Sequence, residues 1–312
     1  MTRPVASVIP PFHRSRRDFD HGHAHDLLRP LEPDCGTVQF ATPQTETSLR
    51  QMARLMRDRP DVELYVFGGV KDLEFLKYFE SLRRLRLTAW DIEDIGGFAY
   101  LGTDFESLVF TKTKKRFSLR FLEMLPGLRS LFLQGHVKDF DVVPGLMELQ
   151  SLGLSGIPLA DLSMLVPLRQ LTHVFIGFCR TRDLWALRDL PRLKDLRVIR
   201  ITELAAVDVL RDLTGLACVE LSWLRNVERL PNLSRLASLQ SMTLDTMNGL
   251  REIAGIAAAP ALRRLAVTAT PGLTAESFRC LLGHPTLQEL WGYTGKAREN
   301  AEIKRLFPAI AR

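Results

Sequence analysis

Residues 128–176 read LRSLFLQGHVKDFDVVPGLMELQSLGLSGIPLADLSMLVPLRQLTHVFI. One apolar figure occurs in them three times: Leu128, Leu131 and Leu133; Leu149, Leu152 and Leu154; Leu171, Val174 and Ile176. The last two members of each figure flank a single residue, the period-two alternation of a short strand. Between the figures the period changes. Leu159, Leu162, Leu165 and Leu168 are three residues apart, which suits a short helical or 3₁₀ piece with one buried face. The stretch therefore predicts a repeated unit of one strand and one short turn of helix.

The figure continues in both directions. It stands at Leu82, Leu85 and Leu87, at Leu193, Leu196 and Val198, and at Leu216, Val219 and Leu221. It stands again at Leu239, Met242 and Leu244, and at Leu262, Leu265 and Val267. Weaker copies lie at Leu64 and Val66, at Phe105, Leu108 and Phe110, and at Leu287 and Leu290. The middle positions run 64, 85, 108, 131, 152, 174, 196, 219, 242, 265 and 290, in steps of 21 to 25 residues. A fixed period of this length is the signature of a repeat architecture. Pro126, Pro191, Pro260 and Pro285 each stand two residues before the next figure, where proline stops the helical piece and turns the chain toward the next strand.

The pattern resembles the leucine-rich-repeat family in its 22–23-residue form, over roughly residues 60–295. The resemblance implies an α/β fold: a right-handed solenoid with a concave parallel sheet of about eleven short strands and short helices or loops on the convex side. The family often has Asn three residues after the last strand Leu. Here that place holds Trp90, Thr113, His136, Ile157, Cys179, Ile201, Leu224, Met247 and Thr270. The apolar ones predict a turn that buries a side chain instead. Solenoid ends need covers. Residues 47–58 read as an amphipathic capping helix, 274–282 look helical with Thr274 as N-cap, and 296–307 predict a closing helix. The expected organisation is an irregular or disordered segment 1–45, a repeat domain 46–295 including the capping helix, and a C-terminal capping segment 296–312. Residues 1–40 are expected to be dispensable for folding.

Composition agrees with a globular chain. Its 312 residues are 46% hydrophobic and 25% charged, too apolar for disorder. A net charge of +6 is too mild for a dedicated nucleic-acid binder. No run of 18 apolar residues occurs, so no membrane insertion is expected. The N-terminal apolar run is broken by Pro10 and Pro11, so no secretory signal is expected. Cys35, Cys179, Cys218 and Cys280 show no CxxC spacing, and scattered thiols fit a reducing compartment. Arg outnumbers Lys 33 to 9, as in a GC-rich bacterial gene. The expectation is a bacterial cytoplasmic protein, with a secreted effector as the alternative.

The sequence contains no GxSxG, Walker glycine loop, HExxH or post-strand GxGxxG. About 17 residues follow the last repeat strand, too few for a fused catalytic domain. No enzyme activity and no cofactor are expected. His21, His23 and His25, flanked by Asp20 and Asp26, form the one metal-like cluster: alternate residues of an extended chain point the same way. The bland reading is a polar tail. Lys112, Lys114, Lys115, Arg116 and Arg120 make the densest basic cluster. A solvated loop is the bland reading there, and no aromatic platform is interleaved with it. Cys179 and Cys218 read as structural thiols, since no His is placed to activate them.

Strand alternation turns the repeat into a surface map. The central outward column runs Tyr65, Arg86, Val109, Phe132, Gly153, Phe175, Arg197, Glu220, Thr243, Ala266 and Trp291. Exposed aromatics there are costly to hydrate and are enriched at recognition hot spots. The candidate protein-binding residues are Phe132, Phe175, Phe178, Arg197, Arg200, Glu220, Trp223 and Asp245, with Gly153 and Gly177 leaving space beside the rings. The reading is a non-catalytic module that docks an unidentified protein partner on the concave face. The alternatives are an anionic surface or nucleic acid held by the loop 112–120, or a metal-dependent activity of the histidine cluster.

Overall fold

The computed structural model describes residues 15–19 and 29–311. Among the described residues, thirteen short strands follow one another in chain order through one sheet. They are β1 Ser15–Asp18, β2 Cys35–Phe40, β3 Glu63–Phe67, β4 Arg84–Thr88, β5 Ser107–Phe110, β6 Ser130–Gln134 and β7 Ser151–Ser155. They continue as β8 His173–Gly177, β9 Asp195–Ile199, β10 Cys218–Ser222, β11 Ser241–Asp245, β12 Arg264–Thr268 and β13 Glu289–Tyr293. The pairings are parallel, as between β3 and β4 or β8 and β9. The eleven strands expected from the repeat are β3 to β13. The first two are an addition, and they correct the expectation of an irregular segment up to residue 45. The chain forms two compact units, residues 1–153 and 154–312.

In the first unit, β2 alternates as a strand should, with Val38 and Phe40 buried against the core and Thr37 and Gln39 turned outward. It pairs with β3 through Val38 beside Leu64 and Gln39 beside Tyr65. Helix α1, Glu46–Met56, starts at Thr45, whose hydroxyl accepts the N–H of Ser48 at 3.2 Å. That bond satisfies one of the free donors of the first turn. Leu49, Met52 and Met56 form its buried stripe. Farther along, aromatic rings fill the space that leucines fill elsewhere. Phe98 and Phe121 stack at 4.2 Å, and Phe110 meets Phe98 edge-on at 5.7 Å.

In the second unit the strand leucines form a continuous buried row. Leu196, Val198, Leu221, Leu244 and Leu265 are fully buried. Between strands the chain makes 3₁₀ turns at Trp185–Asp189, Asp208–Asp212 and Ala254–Ala258. The three-residue apolar spacing causes this, because residues i and i+3 eclipse on a 3₁₀ helix. Leu184, Leu187, Leu190 and Leu193 are all buried accordingly. The turn Ala275–Leu281 opens with a capping box of Thr274 and Ser277. Helix α2, Ala297–Leu306, covers β13. A Cβ at Gly292 would lie 2.6 Å from the Ile303 side chain, so only glycine admits this approach. The Leu290 N–H donates to the Ile310 carbonyl at 2.9 Å, which occupies part of the strand edge.

The Asn-free turn buries its substitutes. Ile157, Cys179, Ile201, Leu224 and Met247 are buried, and so are the polar Thr113, His136 and Thr270. Each polar one finds a carbonyl: Thr113 that of Lys115 at 2.6 Å, Thr270 that of Thr268 at 2.9 Å, and His136 that of Thr111 at 2.9 Å. Trp90 is the exception. It is 49% exposed, and Ala89 is buried beside it. An indole is too large for a slot whose other occupants are no bulkier than His or Met.

Candidate functional site

The residue that follows each strand by one position carries the clearest structural signal. Gly68, Gly135 and Gly156 occupy it in three repeats with φ of 72°, 72° and 63°. In the next five repeats the same left-handed backbone is held by Phe178, Arg200, Trp223, Thr246 and Ala269, with φ of 55°, 52°, 59°, 51° and 45°. A side chain in this region brings Cβ against the carbonyl oxygen and costs about 1–2 kcal/mol. The backbone is fixed from outside. The N–H of Phe178 donates to Ile199 O at 3.0 Å, that of Arg200 to Ser222 O at 2.8 Å, and that of Trp223 to Asp245 O at 2.8 Å. Each bond prolongs the sheet ladder by one rung, so strain at a single residue is offset by pairing on the next strand.

Three of these strained positions carry large, exposed groups. Phe178 is 50% exposed and Trp223 52%, and Arg200 is exposed between them. The Arg200 guanidinium lies 5.4 Å from the centre of the Phe178 ring. Aromatic, cation and aromatic thus stand on consecutive repeats along one edge of the sheet. Arg200 has no ion pair among the described residues, so its charge faces solvent beside two apolar plates.

The outward column has the register its spacing implies. Phe175 lies beside Arg197, Arg197 beside Glu220, Glu220 beside Thr243, and Thr243 beside Ala266. Its charges are already engaged. The Arg197 Nε donates to Asp195 at 3.1 Å and approaches Glu220 at 3.9 Å. Glu220 also accepts from Ser222 at 3.2 Å. Asp245 accepts from the Thr268 hydroxyl at 2.5 Å. The Phe175 ring lies over Gly177, where a Cβ would meet it at 2.8 Å. The space expected beside Gly177 is therefore filled by the ring. Phe132 belongs to β6 of the first unit, in register with Val109. The second unit thus holds Phe175, Phe178, Arg197, Arg200, Glu220, Trp223 and Asp245.

The remaining candidates are placed differently. Lys112 lies over the Trp90 ring at 5.6 Å, Lys115 donates to the Glu93 carbonyl at 2.8 Å, and Arg120 pairs with Glu123 at 2.9 Å. The basic cluster is partly engaged in holding its own turn. His21, His23 and His25 lie outside the described residues. Among those described, no group of His, Cys, Asp or Glu could hold a metal ion. Burial pushes the Cys179 thiol up, and it sits against the Gly177 carbonyl at 3.2 Å. No described helix is long and apolar enough to cross a membrane.

Sequence reasoning placed Phe178 and Trp223 three residues beyond Phe175 and Glu220 of the central outward column, one past Gly177 and Ser222, and missed their backbone state. A signal was present: aligned by repeat, both fall in the column that Gly68, Gly135 and Gly156 occupy.

A parallel sheet of short strands in chain order, with 3₁₀ turns and buried leucines between them, is the leucine-rich-repeat fold. Among solved structures, an internalin (InlF) from Listeria monocytogenes matches 88% of this chain and 77% of its own at 20% identity, with a TM-score of 0.60. A leucine-rich-repeat protein of Leptospira interrogans matches 92% of this chain and 93% of its own at 16% identity, with a TM-score of 0.41. No family model matches the chain, and neither does any curated protein.

Proposed function

We propose that this chain is a non-catalytic module that binds a protein partner along the edge of the second unit formed by Phe178, Arg200 and Trp223, with Phe175 and Arg197 behind it. The observation that carries this reading is the exchange of glycine for large exposed side chains at a left-handed position. Strain retained at three consecutive repeats by large side chains that stay exposed points to use. Two half-exposed aromatics flanking an unpaired Arg have the composition of an interface hot spot. The paired charges of Arg197 and Glu220 would orient the partner more than they would hold it. The four free thiols support a reducing compartment, and we place the protein in the cytoplasm.

Affinity capture from the native lysate, with the bound proteins identified by mass spectrometry, tests the reading. Phe178→Ala and Trp223→Ala should each weaken the captured interaction by roughly 2 kcal/mol, about thirtyfold. Lys114→Ala with Lys115→Ala should leave it unchanged. Retention by both aromatic variants and loss by the lysine variant would move the site to the basic loop.

A further inference from the structure

The first unit carries a feature that partner docking does not use. A cavity of about 440 Å³ opens between α1 and the turn Glu74–Tyr78. Six cations line it, Arg50, Arg54, Arg57, Arg59, Lys77 and Arg83, and Glu80 is the only carboxylate among its described lining residues. Local structure explains the concentration. Arg50, Arg54 and Arg57 are spaced i, i+4 and i+7, so they share one face of α1. That face lies beside the buried stripe of Leu49, Met52 and Met56.

Half of this charge is already matched. Arg50 pairs with Glu46 at 2.7 Å, Arg59 with Asp61 at 3.0 Å, and Arg83 with Glu106 at 3.0 Å. Arg59 also donates to the carbonyls of Glu32 at 3.1 Å and Cys35 at 2.8 Å, which makes it a fixed wall. Arg54, Arg57 and Lys77 have no ion pair among the described residues. A simpler reason for Arg54 and Arg57 is compensation of the helix C-terminus, but that end carries only about half a negative charge. The two arginines alone exceed it about fourfold, and Lys77 adds a third unmatched charge from the facing turn. Guanidinium forks match oxyanions bidentately, and the volume lies within the roughly 300–1,000 Å³ of small-molecule sites.

We propose that this cavity binds a ligand bearing two or more phosphate groups, with Arg54, Arg57 and Lys77 as its principal contacts. A single monoanion would leave cations unmatched, whereas a diphosphate engages all three. The chemistry is shared by free phosphorylated metabolites and by polyphosphorylated lipid headgroups.

Calorimetric titration of the full chain with inorganic pyrophosphate, at about 0.1 M salt to screen diffuse attraction, tests the site. Wild type should bind one equivalent. Arg54→Ala with Arg57→Ala should weaken binding at least about tenfold, while Lys114→Ala with Lys115→Ala, an equal charge loss elsewhere in the same unit, should not. All four residues are exposed, and an unchanged melting curve confirms that each variant is folded. Sedimentation with vesicles carrying a bisphosphorylated inositol lipid separates the two sources. Capture that depends on Arg54 and Arg57 assigns the headgroup, and pyrophosphate binding without capture assigns the free ligand. Absence of binding to either probe, or an equal loss in both double variants, overturns the proposal.

Discussion

Histidine 136 occupies a turn position that threonine fills at 113 and 270, and its ring stacks 3.9 Å from that of Phe110. Burial pushes its pKa below the ordinary value. The unfolded chain therefore takes up the proton first, and stability rises with pH across that window. The contribution is complete above about pH 6.5 and is lost as pH falls toward the lowered folded value. The Tm should accordingly drop between about pH 7.5 and pH 5.5, and His136→Thr should make that drop shallower while lowering the Tm at the higher pH. His173 is pushed the same way by burial, so the slope should shrink without vanishing. Thermal melts across the range check this, and an unchanged slope would assign the pH dependence to other groups.

At the scale of the element, the strands β3 to β13 and the two capping helices were legible because leucine or another large apolar residue recurs at the inward positions in a fixed period. β2 was not. Its inward residues are Cys35, Val38 and Phe40, which fit no leucine figure and form only one strand's worth of alternation. β1, with Arg16 and Arg17, carries no apolar period. Structure alone shows that both pair in parallel. The burial of β2 argues against the expected dispensability of residues 1–40. Cys35, Val38 and Phe40 are buried to within 1% exposure, and their removal uncovers the edge of β3. Deleting residues 1–40 should lower the Tm by several degrees or more, since losing three buried side chains costs several kcal/mol. An unaltered melt would mean that β1 and β2 only rest on the unit. The candidate site was half legible. Alternation found the outward column, but a left-handed φ has no signature in a residue such as Trp223 except its alignment with glycines.

For the whole molecule, stability is carried by nearest neighbours, because each repeat buries its leucines only against the next. Leu196 is fully buried between the neighbours of β9. Leu196→Asp buries an unpaired carboxylate and should cost several kcal/mol, comparable to the whole margin of a domain. Denaturant unfolding should show that loss, and a stability equal to wild type would mean that the repeat register is misassigned. Substitutions on the left-handed edge should behave in the opposite manner. Phe178→Gly, Arg200→Gly and Trp223→Gly each relieve about 1–2 kcal/mol of backbone strain and add about 0.5–1 kcal/mol of unfolded-chain entropy. The cation–π contact of Arg200 with Phe178 contributes about 0.5–1 kcal/mol more to the native side.

These opposing quantities nearly cancel, and that cancellation separates a binding role of the three residues from a folding role. The decisive measurement is a paired one on the triple glycine variant: its Tm, and its retention of the protein captured by wild type. A Tm within a few degrees of wild type, or above it, is expected together with loss of the captured partner. A large fall in Tm would show that Phe178, Arg200 and Trp223 serve the fold. A stable variant that keeps its partner would show that the edge they form is not where binding occurs.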